Sequence, residues 1–177
     1  MRKIAVIVGS ASDLSQCHRG LMLLKNLMIV SSTSEKIEVS GVYIRSQHRN
    51  TLDTQELLRE LTQMEVDVAI IGAGWANHLT GCCDAFLRYV LRNDKLVVIG
   101  VAFEDETNPK HTLAATLSIS EVPGTQVVYS GIDGKFIGSE GFLQACGMAA
   151  NGELPKIFLP EPKPIQDLSL EKALEKT

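Results

Sequence analysis

A histidine and an arginine stand side by side at His48 and Arg49, where the apolar, β-branched run GVYI gives way to RSQHRN. Arginine keeps its charge at any physiological pH and grips phosphate through two parallel hydrogen bonds. Histidine is the residue type that titrates nearest neutrality. Sharing one loop, they could hold an anion and exchange a proton beside it. The same pair can also close a strand without doing chemistry, so its weight depends on what else reaches the same place.

Two further stretches offer matching parts. In VGSASD, residues 8–13, Gly9 lets backbone come close to a ligand. The hydroxyls of Ser10 and Ser12, with the free amides of a following helix, can hold a phosphate. Asp13 would repel that phosphate if aimed at it, so it either caps the helix or turns toward hydroxyl groups such as those of a ribose. In IGAGWANHLTG, residues 71–81, the small residues Gly72, Ala73 and Gly74 leave room for a flat ligand against backbone, and His78 opens the next helical stretch. The plain alternatives are an ordinary N-cap for the first stretch and a packed loop histidine for the second.

These stretches matter only if the fold gathers them. Ile4–Val8, Val66–Ile71 and Leu96–Val101 are short, almost unbroken apolar runs, the pattern of strands covered on both faces. Between them Leu14–Val30, Thr51–Met64 and Leu79–Leu91 have helical period, with Leu52, Leu57, Leu58 and Leu61 as the repeating apolar positions of the second. SSTSEK, residues 31–36, reads as a polar turn and IEVSGVYI, residues 37–44, as a further strand. Strand and helix therefore alternate up to about residue 101. That order predicts an α/β fold, a doubly wound parallel sheet in a flavodoxin-like three-layer sandwich, with right-handed crossovers that bring the loops after the strands to one edge. Beyond it, Pro109–Ser120 reads as helix, Thr125–Ser130 as strand and Ser139–Ala150 as helix. After Gly152 four prolines (Pro155, Pro160, Pro162, Pro164) forbid regular helix until SLEKALEK. We expect one domain over residues 1–152 and a proline-rich arm with a short helix over residues 153–177.

Composition narrows the partners. The chain has 177 residues, 45% of them hydrophobic, and a net charge of −4 without a basic run, so neither nucleic acid nor an acidic membrane surface is an expected partner. The N-terminus lacks an apolar core long enough for a signal peptide or a membrane span, which places the chain in the cytosol as an expectation. Cys17, Cys82, Cys83 and Cys146 have neither zinc-site spacing nor disulfide density and read as reduced, mostly buried thiols.

At the three stretches the chain resembles the carboxyaminoimidazole ribonucleotide mutase family of purine biosynthesis, also called the catalytic subunit of phosphoribosylaminoimidazole carboxylase. The family pattern of Gly-Ser-x-Ser-Asp, then Ser-Ala-His-Arg, then Ala-Gly-Gly-Ala-Ala-His-Leu-Pro-Gly is matched by GSASD at 9–13, SQHR at 46–49 and AGWANHLTG at 73–81. The likeness runs more weakly to about residue 150. It implies a homo-octamer with sites built between subunits, a small ribonucleotide as substrate, and neither metal nor organic cofactor. It implies that Ser10, Asp13 and Arg49 hold phosphate and ribose and that His48 is the catalytic acid and base. Ser12, Ser46, Ala73, Gly74, His78 and Leu79 complete the implied substrate-binding set.

The departures fall mainly in the third stretch, where Trp75 replaces a glycine, Asn77 an alanine and Thr80 a proline; Gln47 replaces an alanine in the second. An inward indole would reshape the pocket; an outward one would pack elsewhere. Glu104, Asp105 and Glu106 should share another edge loop, where added negative charge would oppose an anionic ligand. Two alternatives follow: a diverged, non-catalytic nucleotide-binding or assembly protein, favoured by Trp75 and Asn77, and a nicotinate nucleotide carboxylase-like enzyme that forms a cysteine adduct through Cys82 or Cys83.

Overall fold

A computed structural model describes residues 1–30, 36–130 and 134–176. Four strands, β1 (Arg2–Val8), β2 (Ile37–Ile44), β3 (Val68–Ala73) and β4 (Val97–Ala102), form one parallel sheet in the order β2-β1-β3-β4. The expected polar turn at residues 31–36 lies, apart from Lys36, outside the described residues.

Strand alternation divides the core between the two faces. Ile4, Val6, Val8, Ile70 and Ile99 point to one side, where α1 (Leu14–Val30) and α5 (Gly138–Asn151) cover them with Cys17, Leu24, Phe142 and Ala149. Ala5, Ile7, Ala69, Ile71 and Val98 point to the other, under α2 (Thr51–Gln63) and α3 (His78–Ala85) with Leu57, Leu58, Leu61 and Leu79. Each of these Ile and Leu side chains, fully removed from water, contributes about 2 kcal/mol. This is the three-layer α/β sandwich that the alternation of strand and helix predicts. One expected core residue is not in it: Leu52 is 79% exposed. The buried stripe of α2 runs through Thr54, Leu57, Leu58 and Leu61, and Leu52 lies on the opposite side of the helix.

Two other elements depart from the reading of the sequence. The stretch Thr125–Ser130 is not a full strand. Val127 makes a single parallel bridge to Ile99 beside β4, and the short β5 (Tyr129–Ser130) turns back to pair antiparallel with β6 (Gly134–Lys135). The expected helix Leu79–Leu91 starts one residue early and widens at Phe86–Val90 into a π-turn, closed by the Leu91 amide on the Phe86 carbonyl at 3.0 Å. That turn carries Arg88, which is buried and pairs with the buried Asp84 at 3.0 Å. Arg88 also donates to the carbonyls of Asn93 (2.6 Å) and Leu96 (2.8 Å) and to the Thr125 hydroxyl (2.7 Å). Thr125 in turn gives its amide and hydroxyl to Asp84. Burial lowers the Arg88 pKa, and the Asp84 charge opposes that shift.

The helix α4 (Pro109–Ser120) matches its sequence signal, with Asn108 as N-cap and Pro109 at its first position. Past Gly152 the chain has no helix or strand until α6 (Leu170–Leu174), although Ile157 is buried in the core beside α1 and α5. Among the described residues no helix is long and apolar enough to cross a membrane.

Candidate active site

Strand order fixes where a ligand can enter. The chain leaves β1 for β2 on one side and returns past β1 to β3 on the other, so a crevice opens outside the carboxyl ends of β1 and β3. All three chemistry-bearing stretches follow the strands of this sheet directly.

The first is held shut at its base. Gly9 donates its amide to the Gly72 carbonyl at 2.9 Å, and a Cβ at Gly9 would lie 2.8 Å from that of Ala73, so only glycine allows this approach. Ser10 is extended and makes no side-chain cap bond, which sets aside the ordinary N-cap. Its hydroxyl instead accepts from Ser12 at 3.0 Å at the head of a one-turn 3₁₀ segment, Ala11–Asp13, that leads into α1. The Asp13 carboxylate sits in the crook between Gly9 and Gly74. Burial pushes its pKa above the usual carboxylate value; a backbone hydrogen bond at Ser10 and the Arg49 charge pull the other way.

The second stretch is a tight turn. The Asn50 amide closes on the Ser46 carbonyl at 2.8 Å, and the Thr51 hydroxyl bonds the Gln47 carbonyl. The turn thereby projects His48 and Arg49 over the crevice, and Arg49 reaches across to the Gly9 carbonyl at 3.2 Å.

In the third stretch the departures explain one another. Asn77 is the N-cap of α3: its Oδ1 accepts from the Thr80 amide (3.1 Å) and hydroxyl (3.0 Å), and its Nδ2 donates to the Val101 carbonyl (2.9 Å). The single Thr80 hydroxyl hydrogen is shared between Asn77 Oδ1 and the Ile71 carbonyl (3.1 Å), and the Thr80 methyl fits because Gly100 has no Cβ, which would lie 2.7 Å away. Both side chains are fully buried. A proline at position 80 has no amide to cap; a threonine does, and Asn77 supplies the cap. Asn77→Ala alone should therefore cost about 2 kcal/mol by orphaning the buried Thr80 amide and Val101 carbonyl. Adding Thr80→Pro to that variant should recover part of the loss. Urea denaturation of the two singles and the double measures this coupling, and strict additivity would show that the pair does not act as a unit.

His78, the first residue of α3, places Nδ1 3.0 Å from His48 Nε2, hydrogen-bond distance, with the two rings tilted edge to face. Trp75 has φ +60°, the left-handed region that favours the glycine of the family pattern. Its indole stands at the mouth of the crevice, 67% exposed, and stacks on His111 with centroids 4.3 Å apart. His111 Nδ1 lies 2.7 Å from Asp105, and Asn108 Nδ2 lies 3.1 Å from its Nε2. Hydrogen bonds from Thr107 and His111 hold the Asp105 pKa down at about 2. Asp105 is thus committed to this clamp, and neither it nor its neighbours Glu104 and Glu106, both exposed, line the crevice.

The crevice is a cavity of about 510 Å³, a size suited to a nucleotide. Ser10, Ser12 and Asp13 line it from the first stretch, Ser46, His48 and Arg49 from the second, and Ala73, Gly74 and Leu79 from the third. Gly9, Gln47, Trp75 and Ala76 complete the lining; His78 is not part of it but is hydrogen-bonded to His48. A slightly larger hollow, about 570 Å³, lies at the amino ends of the strands among Lys3, Asp67, Arg92 and Lys95. Its charges are mixed, and parallel sheets take ligands at the carboxyl ends, so the crevice is the stronger site.

Cys82 and Cys83 face a different hollow, under α2. Burial raises both thiols, most strongly Cys83, which leaves little thiolate for an adduct and speaks against the nicotinate alternative. Cys17, Cys83 and Cys146 are buried and all four cysteines are free. Among the described residues no three His, Cys, Asp or Glu side chains cluster as a metal site requires.

The reading of the sequence missed the brace behind Trp75. His111 lies near the start of a helix whose existence was legible, but nothing local ties it to a residue 36 positions away.

Among curated proteins no sequence matches. Solved structures with the same fold include a PurE from Treponema denticola (18% identity, 72% of each chain covered, TM-score 0.52) and a single-substitution variant of PurE2 from the same organism (22%, 72% of each chain, 0.53). A type II dehydroquinase from Butyrivibrio crossotus shares it too (16%, 85% of this chain and 98% of that one, 0.50). At these identities the likeness is one of fold, and fold alone does not choose the chemistry. A family model for AIR carboxylase, however, matches residues 3–152, a span that holds all three loops of the crevice, and the chain belongs to the AIR carboxylase family.

Proposed function

We propose that the chain moves a carboxylate on aminoimidazole ribonucleotide, with His48 as general acid and base. The observation that carries this reading is the convergence of three distant loops on one cavity that His48, partnered by His78, lines together with Ser10, Asp13 and Arg49. Arg49 and the Ser10 and Ser12 hydroxyls hold the phosphate; Asp13 takes the ribose hydroxyls; Ser46, Ala73, Gly74 and Leu79 bed the imidazole.

The chemistry balances within that set. His48 protonates the exocyclic amine as its carboxylate leaves as carbon dioxide. The ring carbon then attacks the trapped carbon dioxide, and His48, now neutral, removes the proton from that carbon. One proton given and one taken return the histidine to its starting state. Confinement in the crevice favours recapture over escape of carbon dioxide. His78 holds the His48 ring in register for both transfers. The family's assembly supports an oligomer, for which we propose the octamer, acting in the cytosol.

The test is an ultraviolet assay of the purified protein, once with the carboxyamino ribotide and once with aminoimidazole ribonucleotide plus bicarbonate. Turnover of either supports the reading and selects between mutase and carboxylase; bound ribotide without turnover favours the non-catalytic alternative.

A further inference from the structure

Trp75 is an unusual residue to find at the mouth of this cavity. Its backbone sits at φ +60°, which costs a bulky side chain conformational energy that a glycine avoids. Its indole is two-thirds exposed, so apolar burial within the subunit does not offset that cost. Yet the ring is firmly backed. His111 stacks on one face, with a tilt of 22° between the planes. Asp105 and Asn108 pin both nitrogens of that imidazole, Thr107 donates twice to Asp105, and the Thr112 hydroxyl accepts from the Asp105 amide. A scaffold from the loop after β4 thus presents the indole beside Ala73, Gly74 and Ala76, whose small side chains leave the neighbouring space open.

We infer that Trp75 is a specificity-determining residue: an aromatic platform, pre-built on His111, that stacks against the flat base of the ribonucleotide bound in the crevice. The inference rests on the ribotide reading of the site and adds to it which part of the ligand this chain recognises differently from a member with glycine there. An indole already fixed in place loses little freedom on binding, so stacking on a planar aromatic ring is gained at small entropic cost. The sugar and phosphate, held by the first and second loops, gain nothing from it.

Two ligands separate base from sugar: aminoimidazole ribonucleotide and ribose 5-phosphate, each titrated by calorimetry. Trp75→Gly, which also relieves the backbone, should weaken the ribonucleotide about five- to tenfold and leave ribose 5-phosphate unchanged; Trp75→Phe should restore most of the loss. In the parent, the sole tryptophan should report ribonucleotide binding by a fluorescence change absent with ribose 5-phosphate. If the parent binds both ligands and Trp75→Gly weakens both or neither, the platform is refuted and the site reading stands. If the parent binds neither, the site reading falls and takes the platform with it. If the substitution changes only the oligomeric state by sedimentation, Trp75 is an interface residue and the inference is wrong.

Discussion

Asparagine in place of His48 should lower turnover by about a thousandfold or more, with ribotide affinity changed less than about threefold. The substitution keeps a polar side chain of similar reach but removes the group that can both give and take a proton near neutrality. Binding should survive because Ser10, Ser12 and Asp13 line the cavity from another loop, and Arg49, on the same turn as His48, is steadied by its own bond to the Gly9 carbonyl. The initial rate by ultraviolet absorbance and the affinity by calorimetry give the two numbers. Equal rates in parent and variant would remove His48 from the mechanism.

The largest effect on stability should come from Asp84→Ala. Asp84 and Arg88 are buried together, and removing the carboxylate leaves the guanidinium away from water without its counter-charge while taking the acceptor from both the amide and the hydroxyl of Thr125. Breaking such a pair from one side costs about 3–5 kcal/mol, or roughly 10 °C in melting temperature for a chain of this size. Arg88→Met should cost less than Asp84→Ala, since it leaves an apolar side chain in the apolar space and Asp84 keeps both bonds from Thr125. Urea denaturation ranks the two; a loss below about 1 kcal/mol for Asp84→Ala would mean that water reaches Arg88 and the pair is not structural.

How much of this could be read beforehand depends on the range of the forces involved. Ile4–Val8 and Val68–Ala73 announce themselves because both faces of a central parallel strand must be apolar. The convergence of the loops follows from strand order, a rule of topology rather than of local sequence. Leu52 misled because its apolar type counts it with the stripe, although it stands five and six residues before Leu57 and Leu58 and so falls on the face away from the sheet, where Thr54 takes the buried position of the first turn. Thr125–Ser130 has the β-branched composition of a strand, but Thr125 is committed to Asp84 and Arg88, and only Val127 joins β4. The Asn77–Thr80 cap and the Trp75–His111 stack were beyond reach for different reasons. The first needs the backbone path to show that an amide is orphaned; the second joins two loops that only the folded sheet brings side by side.

Rigidity in the third loop lies beneath it, in the Asn77 and Thr80 hydrogen bonds to the ends of β3 and β4, and not in the residue at its crest. His78 is therefore anchored independently of whatever occupies position 75. Such an arrangement separates the part of the loop that selection must keep from the part it can experiment with: a lineage can exchange the crest residue by single mutations without dismantling the histidine pair beside it.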